Sequence, residues 1–283
     1  MNTFLQLVVS GIGAGSAFSL VGIGMVLIYR TTGIINFAQG QFAVMAGLVT
    51  ASLANHMPVI VAGLIGVAVS VAIGVVVGFV APGREGTTPL ASIVVTIGLA
   101  FVASAAALAI FGDTAHTYNA VGGKAWDVAG ILIQPQYVLI FATAGVFSLA
   151  LGPLIGRTML GHALVACSDS QRAAKLIGLN VRSLAVASFA LAALLAAVGG
   201  ILLTPLVPAR FDSDVALAVN AFVAAVFGGL VSVRGAFFGG LVLGVAESLV
   251  SGYVSGQYDL TIALVLMLVI MVARTGSRRA VTA

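Results

Sequence analysis

The segment Tyr29-Arg30-Thr31-Thr32-Gly33-Ile34-Ile35-Asn36-Phe37-Ala38-Gln39-Gly40-Gln41-Phe42 decides how this chain is read. A charge-free apolar run, roughly 4–29, leads into it, and another, roughly 38–54, leads out. Between them stand three amides, Asn36, Gln39 and Gln41, with Gly33 and Gly40 alongside. Amides left against lipid are costly, so these side chains must pair inside the protein or face water. Two readings follow from the residues alone. The segment is either a broken helix that lines a pathway or a cytoplasmic turn with a helix cap.

Working outward, further charge-free stretches run roughly 58–82, 89–111, 135–156, 183–207, 215–231, 235–252 and 257–273. With the first two they make nine candidate helices. A membrane-crossing helix needs roughly 20 mostly apolar residues. The second and seventh stretches are short for that, so either is expected to be broken or re-entrant. The chain is 61% hydrophobic and 7% charged, against about 25% charged in soluble domains. Lipid must therefore be its solvent. The expected fold is an all-α polytopic bundle of eight to nine spans with one or two short or broken helices. Its 283 residues leave room for a single membrane domain, 1–283. The N-terminus has no basic region before its first apolar stretch, which is read as a retained span.

If all nine stretches cross, Arg30, Arg84, Arg157, Arg172, Lys175, Arg182, Arg234, Arg274, Arg278 and Arg279 share one side. The other side keeps Lys124 and Arg210, together with Asp113, Asp127, Asp212, Asp214 and Asp259. Lys and Arg are retained in the cytoplasm during insertion. The N-terminus is thus expected outside and the C-terminus inside. Two loops are long. Residues 112–134 lie outside and carry a candidate hairpin around Trp126, Val128 and Ile131. Residues 157–182 lie inside. Clustered glycines, among them Gly11, Gly15, Gly239, Gly240 and Gly244, mark faces on which helix backbones approach closely.

The inner loop contains Gly161-His162-Ala163-Leu164-Val165-Ala166-Cys167-Ser168-Asp169-Ser170-Gln171-Arg172-Ala173-Ala174-Lys175-Leu176-Ile177-Gly178-Leu179-Asn180. It reads as two short helices, the second capped by Asp169 or Ser170 and ended by Gly178. Ala173, Leu176 and Ile177 form a small apolar stripe at i, i+3, i+4. That stripe suits either a groove on a partner protein or the lipid headgroups. Glu247 is the one acid placed well inside a stretch, a candidate functional group or a structural one. His56, His116 and His162 have no metal-like spacing. Gly123-Lys124 lacks the rest of a Walker A loop, and no nucleophile–base set is visible. An energy-coupled role would need another subunit to hydrolyse nucleotide. The lone Cys167 permits no internal disulfide.

Three blocks resemble the permease subunits of branched-chain amino-acid ABC transporters, the LivH type. The first is Gly15–Leu27 with Tyr29–Gly40. The second is Gly161–Asn180, and the third is Ala221–Glu247 with Val226-Phe227-Gly228-Gly229-Leu230 and Gly235-Ala236-Phe237-Phe238-Gly239-Gly240. The likeness covers nearly the whole chain. One departure is the stretch after the third helix, basic in the family and here reduced to Pro82-Gly83-Arg84-Glu85-Gly86.

The resemblance implies a non-enzymatic subunit of a prokaryotic inner-membrane importer. It works with a second permease, two cytoplasmic ATPases that bind ATP and Mg, and an extracytoplasmic solute-binding protein. This chain would bind no cofactor. Loop 157–182 would couple to the ATPases, with Gly161, Asp169, Arg172, Ala173, Lys175, Leu176, Ile177 and Gly178 at the contact. Asn36, Gln39, Gln41, Asn220 and Glu247 are the candidates for the solute pathway. The same family pattern serves urea, amides and aromatic acids. An ion-coupled secondary transporter using Glu247 is the rival from another class.

Overall fold

The computed structural model describes residues 2–82, 88–123, 125–128 and 131–281, without the side chains of a few of them. Much of the shortened basic stretch, 83–87, lies outside the described residues. In chain order the helices are α1 (Asn2–Thr32), α2 (Gln39–Leu53), α3 (Val59–Val80), α4 (Pro89–Phe111), α5 (Pro135–Arg157), α6 (Met159–Asp169), α7 (Gln171–Leu176), α8 (Val181–Leu203), α9 (Asp214–Phe227), α10 (Val233–Tyr253) and α11 (Asp259–Val281). The nine apolar stretches fall on α1 to α5 and α8 to α11. Six of these helices are long and apolar enough to span a bilayer. A two-stranded antiparallel hairpin, β1 (Trp126–Val128) with β2 (Ile131–Ile133), occupies the expected outer loop and pairs Trp126 with Ile133.

Helix α1 is the axis of the bundle, with Leu20, Ile23, Met25 and Ile28 wholly buried. It runs antiparallel to α10 at backbone contact. A methyl added at Gly11 would sit 2.6 Å from Val245 Cα, and one at Gly15 would sit 2.5 Å from the Gly240 carbonyl. Lipid tails are as apolar as leucine, so such a pair is held by close packing and short polar ties rather than by exclusion of water. The ties are present. Ser19 Oγ lies 2.7 Å from Phe237 O and Ser10 Oγ lies 2.9 Å from Ser248 Oγ.

Two helices go only part of the way. Helix α2 has 15 residues and α9 has 14, about 22 and 21 Å at 1.5 Å per residue, against roughly 30 Å of hydrocarbon. Gln39, the first residue of α2, reaches Ala192 O in the middle of α8. Thr204, just past the end of α8, meets α2 at Gly47. Helix α2 therefore fills the half of the bundle nearer the C-terminal end of α8. Helix α9 begins beside it, where Gly40 packs on the Asp214 carbonyl. It then runs to the opposite end, where Gly228 meets Gly235. Asp214, expected in an outer loop, is instead buried among the helices, with 6% of its surface exposed. The reason is that the chain after α8 turns back into the bundle before α9 starts.

Such a break leaves non-helical backbone deep in the protein, which membranes tolerate only where it is satisfied internally. Several backbone donors of residues 33–38 are met in this way. Gly33 has a φ of +71°, which frees the chain from α1. Ile34 N donates to Thr32 Oγ1 at 3.2 Å, Phe37 N to Thr96 Oγ1 at 3.3 Å and Ala38 N to Asn36 Oδ1 at 3.1 Å. At the other end of α8 the long loop supplies the partners. His116 and Ala209 exchange two backbone bonds of 2.9 Å, Tyr118 OH donates to Ile201 O at 2.7 Å, and Gln136 Nε2 donates to Leu202 O at 2.6 Å. Burial pushes the Tyr118 hydroxyl up to about 12, so it remains a donor throughout the physiological range.

Candidate functional site

The amides of the opening segment divide between two places. Asn36 and Gln39 are wholly buried and point into the protein. Asn36 Nδ2 donates to Gln39 Oε1 at 3.3 Å, while Gln39 Nε2 donates to Val21 O at 3.2 Å and to Ala192 O at 3.1 Å. They thus brace α1, α2 and α8 at the break, and neither lines the main cavity. Gln41 turns to the other side of α2. Its Oε1 is 3.3 Å from Ser104 Oγ, which lies 2.9 Å from Asp214 Oδ2. One hydroxyl proton serves two acceptors there, and the Gln41 Nε2 has no hydrogen-bond partner.

Asn220 and Glu247 come together. Asn220 Nδ2 donates to Glu247 Oε2 at 3.3 Å, joining α9 to α10. Their residues are 7% and 8% exposed. Both line a cavity of about 560 Å³ walled by α1, α2, α8, α9 and α10. Ligand pockets run from about 300 to 1,000 Å³ and are mostly apolar with a few placed polar groups. Phe18, Leu203, Leu206, Val207 and Leu217 supply the apolar wall here. The sequence reading missed the hydroxyls of Ser10, Ser248 and Ser251 in the same wall. A lone serine in an apolar helix carries no pattern that marks it.

The second candidate region is the elbow of α6 and α7. Thr158 Oγ1 caps α6 by accepting from Gly161 N at 3.0 Å, and Ser170 Oγ caps α7 by accepting from Ala173 N at 3.2 Å. Gly178 ends α7 at a φ of +86°. Leu164, Cys167 and Ala174 face the bundle and are buried. Gly161 is buried against the end of α5. The stripe of Ala173, Leu176 and Ile177 faces away, with Leu176 84% and Ile177 73% exposed. Lys175 and Gly178 are exposed beside it. The side chains of Asp169 and Arg172 lie outside the described ones. The elbow lies at the end of the bundle that also carries Arg30, at the foot of α1, and Arg182, stacked over Phe79 at 5.9 Å.

The family described as branched-chain amino acid transport system / permease component matches residues 7–273. The chain belongs to this permease family. The permease is 30% identical to the high-affinity branched-chain amino acid transport system permease protein LivH of Salmonella typhimurium, over 96% of this chain and 94% of that one. It is equally similar to the corresponding permease protein BraD of Pseudomonas aeruginosa, with the same coverage. Among solved structures, PsaBC from Streptococcus pneumoniae in complex with Fab aligns over 95% of the permease and 89% of that chain, at 15% identity and a TM-score of 0.44. The permease is thus a multi-pass membrane component of a transport system. Members of this family form the membrane passage and are not themselves enzymes.

Proposed function

We propose that this permease forms the membrane passage of an ATP-driven importer for branched-chain amino acids. It works as one domain over residues 1–283, in the inner membrane of a prokaryote, with its N-terminus outside and its C-terminus in the cytoplasm. Two ATPase subunits carry ATP and Mg, a second related permease completes the passage, and a binding protein delivers the solute from outside. The family and its relatives support the class and the solute. The observation that carries the coupling is the exposed apolar stripe of α7. It projects from the end of the bundle rich in cations, where a lipid-facing role is not required of it. Asp169, Arg172, Ala173, Lys175, Leu176, Ile177 and Gly178 form that contact, whereas Gly161, expected in it, is buried against the end of α5 and supports the elbow from behind. Asn220 and Glu247 belong to the solute pathway, whereas Gln41 is not among the residues that line the cavity. Asn36 and Gln39 hold the break that shapes it.

The test is uptake by proteoliposomes holding the full assembly and binding protein. Radiolabelled leucine should accumulate when ATP is present at the ATPase face and should keep accumulating with a protonophore. Uptake that collapses with the protonophore while ATP is held constant would replace this reading with ion-coupled transport through Glu247. Accumulation of urea, an amide or an aromatic acid in place of leucine would keep the importer and change its solute.

A further inference from the structure

We propose that the cavity between α1, α8, α9 and α10 is a ligand site within a single permease subunit, taking a small solute with a primary ammonium group on a short aliphatic body. The choice of leucine as a probe rests on the amino-acid reading above; the site itself does not.

Three observations converge on that ligand class. The first is charge. Among the residues lining the cavity, Glu247 is the one carboxyl, and no Lys, Arg or His is present. A free carboxylate or phosphate would enter without a counter-charge, whereas an ammonium would find one. The second is hydrogen bonding. Asn220 Nδ2 donates one of its two hydrogens to Glu247 Oε2, and this orients the Asn220 carbonyl oxygen as an acceptor without a hydrogen-bond partner. A buried acceptor left unmade is costly. Here it stands next to a carboxyl that is also an acceptor when ionised. An ammonium has three donors and no acceptor, which matches two adjacent acceptor groups. The third is shape. Phe18, Leu203, Val207 and Leu217 supply the apolar part of the cavity wall, which suits a branched aliphatic tail.

The pair joins a short helix to a full-length one. Asn220 is on the short helix α9 and Glu247 on the full-length α10. A head group bound between them ties a half-span to a full span. The lining extends along α10 from Gly244 to the exposed Ser251 and Gly252.

The experiment uses the full-length permease in lipid nanodiscs and measures saturable binding of radiolabelled L-leucine. Two competitors each keep one end of leucine. 3-Methylbutylamine keeps the ammonium and the branched tail; 4-methylpentanoate keeps the carboxylate and the same tail. The amine should displace leucine at concentrations at least tenfold below those of the acid. Glu247→Gln, which preserves shape and removes the charge, should weaken amine binding tenfold or more, and Glu247→Asp should weaken it less while keeping the preference. Equal competition by the acid, amine binding unaffected by Glu247→Gln, or absence of saturable binding would each overturn the site. The amine-over-acid preference is read on the unaltered chain, so it decides the matter even where a variant fails to fold. ATP-driven leucine uptake by the assembly is scored separately. Uptake without Glu247-dependent binding removes the site and keeps the transport reading. Glu247-dependent amine binding without leucine uptake does the reverse.

Discussion

At the scale of single residues, the amides at the break serve the backbone. Asn36→Leu would strand Ala38 N–H and Gln39 Oε1, both of which it now satisfies. An orphaned buried group costs about 1–3 kcal/mol. The variant should therefore unfold in detergent at a clearly lower temperature, with uptake falling in proportion to the folded protein left. An unchanged melting temperature with uptake abolished would instead make Asn36 a group that meets the solute. The sequence made these amides conspicuous because three of them cluster within six residues, between two charge-free apolar stretches. It did not reveal their direction. Thr96 and the carbonyls of Val21 and Ala192, which receive the break, come from distant helices, and a threonine or a backbone carbonyl in an apolar run has no distinguishing pattern. Asp214 was misplaced for a related reason. Charge counting puts an acid at the start of a stretch into a loop, and length alone does not tell how deep a short helix begins.

Among the elements, the α1–α10 pair depends on the absence of side chains. Gly15→Ala would press a methyl to 2.5 Å from the Gly240 carbonyl, so the helices must separate. Overpacking of this kind costs about 1–3 kcal/mol. Gly145→Ala on α5 is the matched control, because an added methyl there meets nothing within 4 Å. Gly15→Ala should lower the melting temperature and the yield of monodisperse protein; Gly145→Ala should leave both unchanged. A Gly15→Ala variant as stable as the control would refute the backbone contact. This face was legible in advance, since glycines repeated at helical spacing have few uses in lipid other than close approach. The half-spans α2 and α9 were legible only as short stretches. Their depth is set by contacts with α8 and with each other.

Across the whole molecule, the account makes a claim about sides and a claim about coupling. The proposed sides rest on ten of twelve cations falling together if all nine apolar stretches cross. A cysteine replacing the exposed Asp127 should react with an impermeant thiol reagent on intact cells, and one replacing Ser277 should react only after permeabilisation. The native Cys167 gives little background, since it is buried and its thiol is pushed up by that burial. Equal labelling of both sites would invert or break the topology. Coupling is the central claim, and it rests on α7. Six residues are too few to hold a helix alone in water, yet Leu176 and Ile177 have apolar surface to bury, worth roughly 1.5–3 kcal/mol for each side chain fully covered. Leu176 is 84% exposed in the isolated chain, so Leu176→Asp should leave the permease folded and place a charge in the partner's groove. The most direct measurement is co-purification of the two ATPases with this variant, together with solute-stimulated ATP hydrolysis. The account predicts that the ATPases are lost, or are retained with hydrolysis no longer linked to leucine uptake. Full retention with normal stimulation and normal uptake would contradict it and return α7 to the lipid surface.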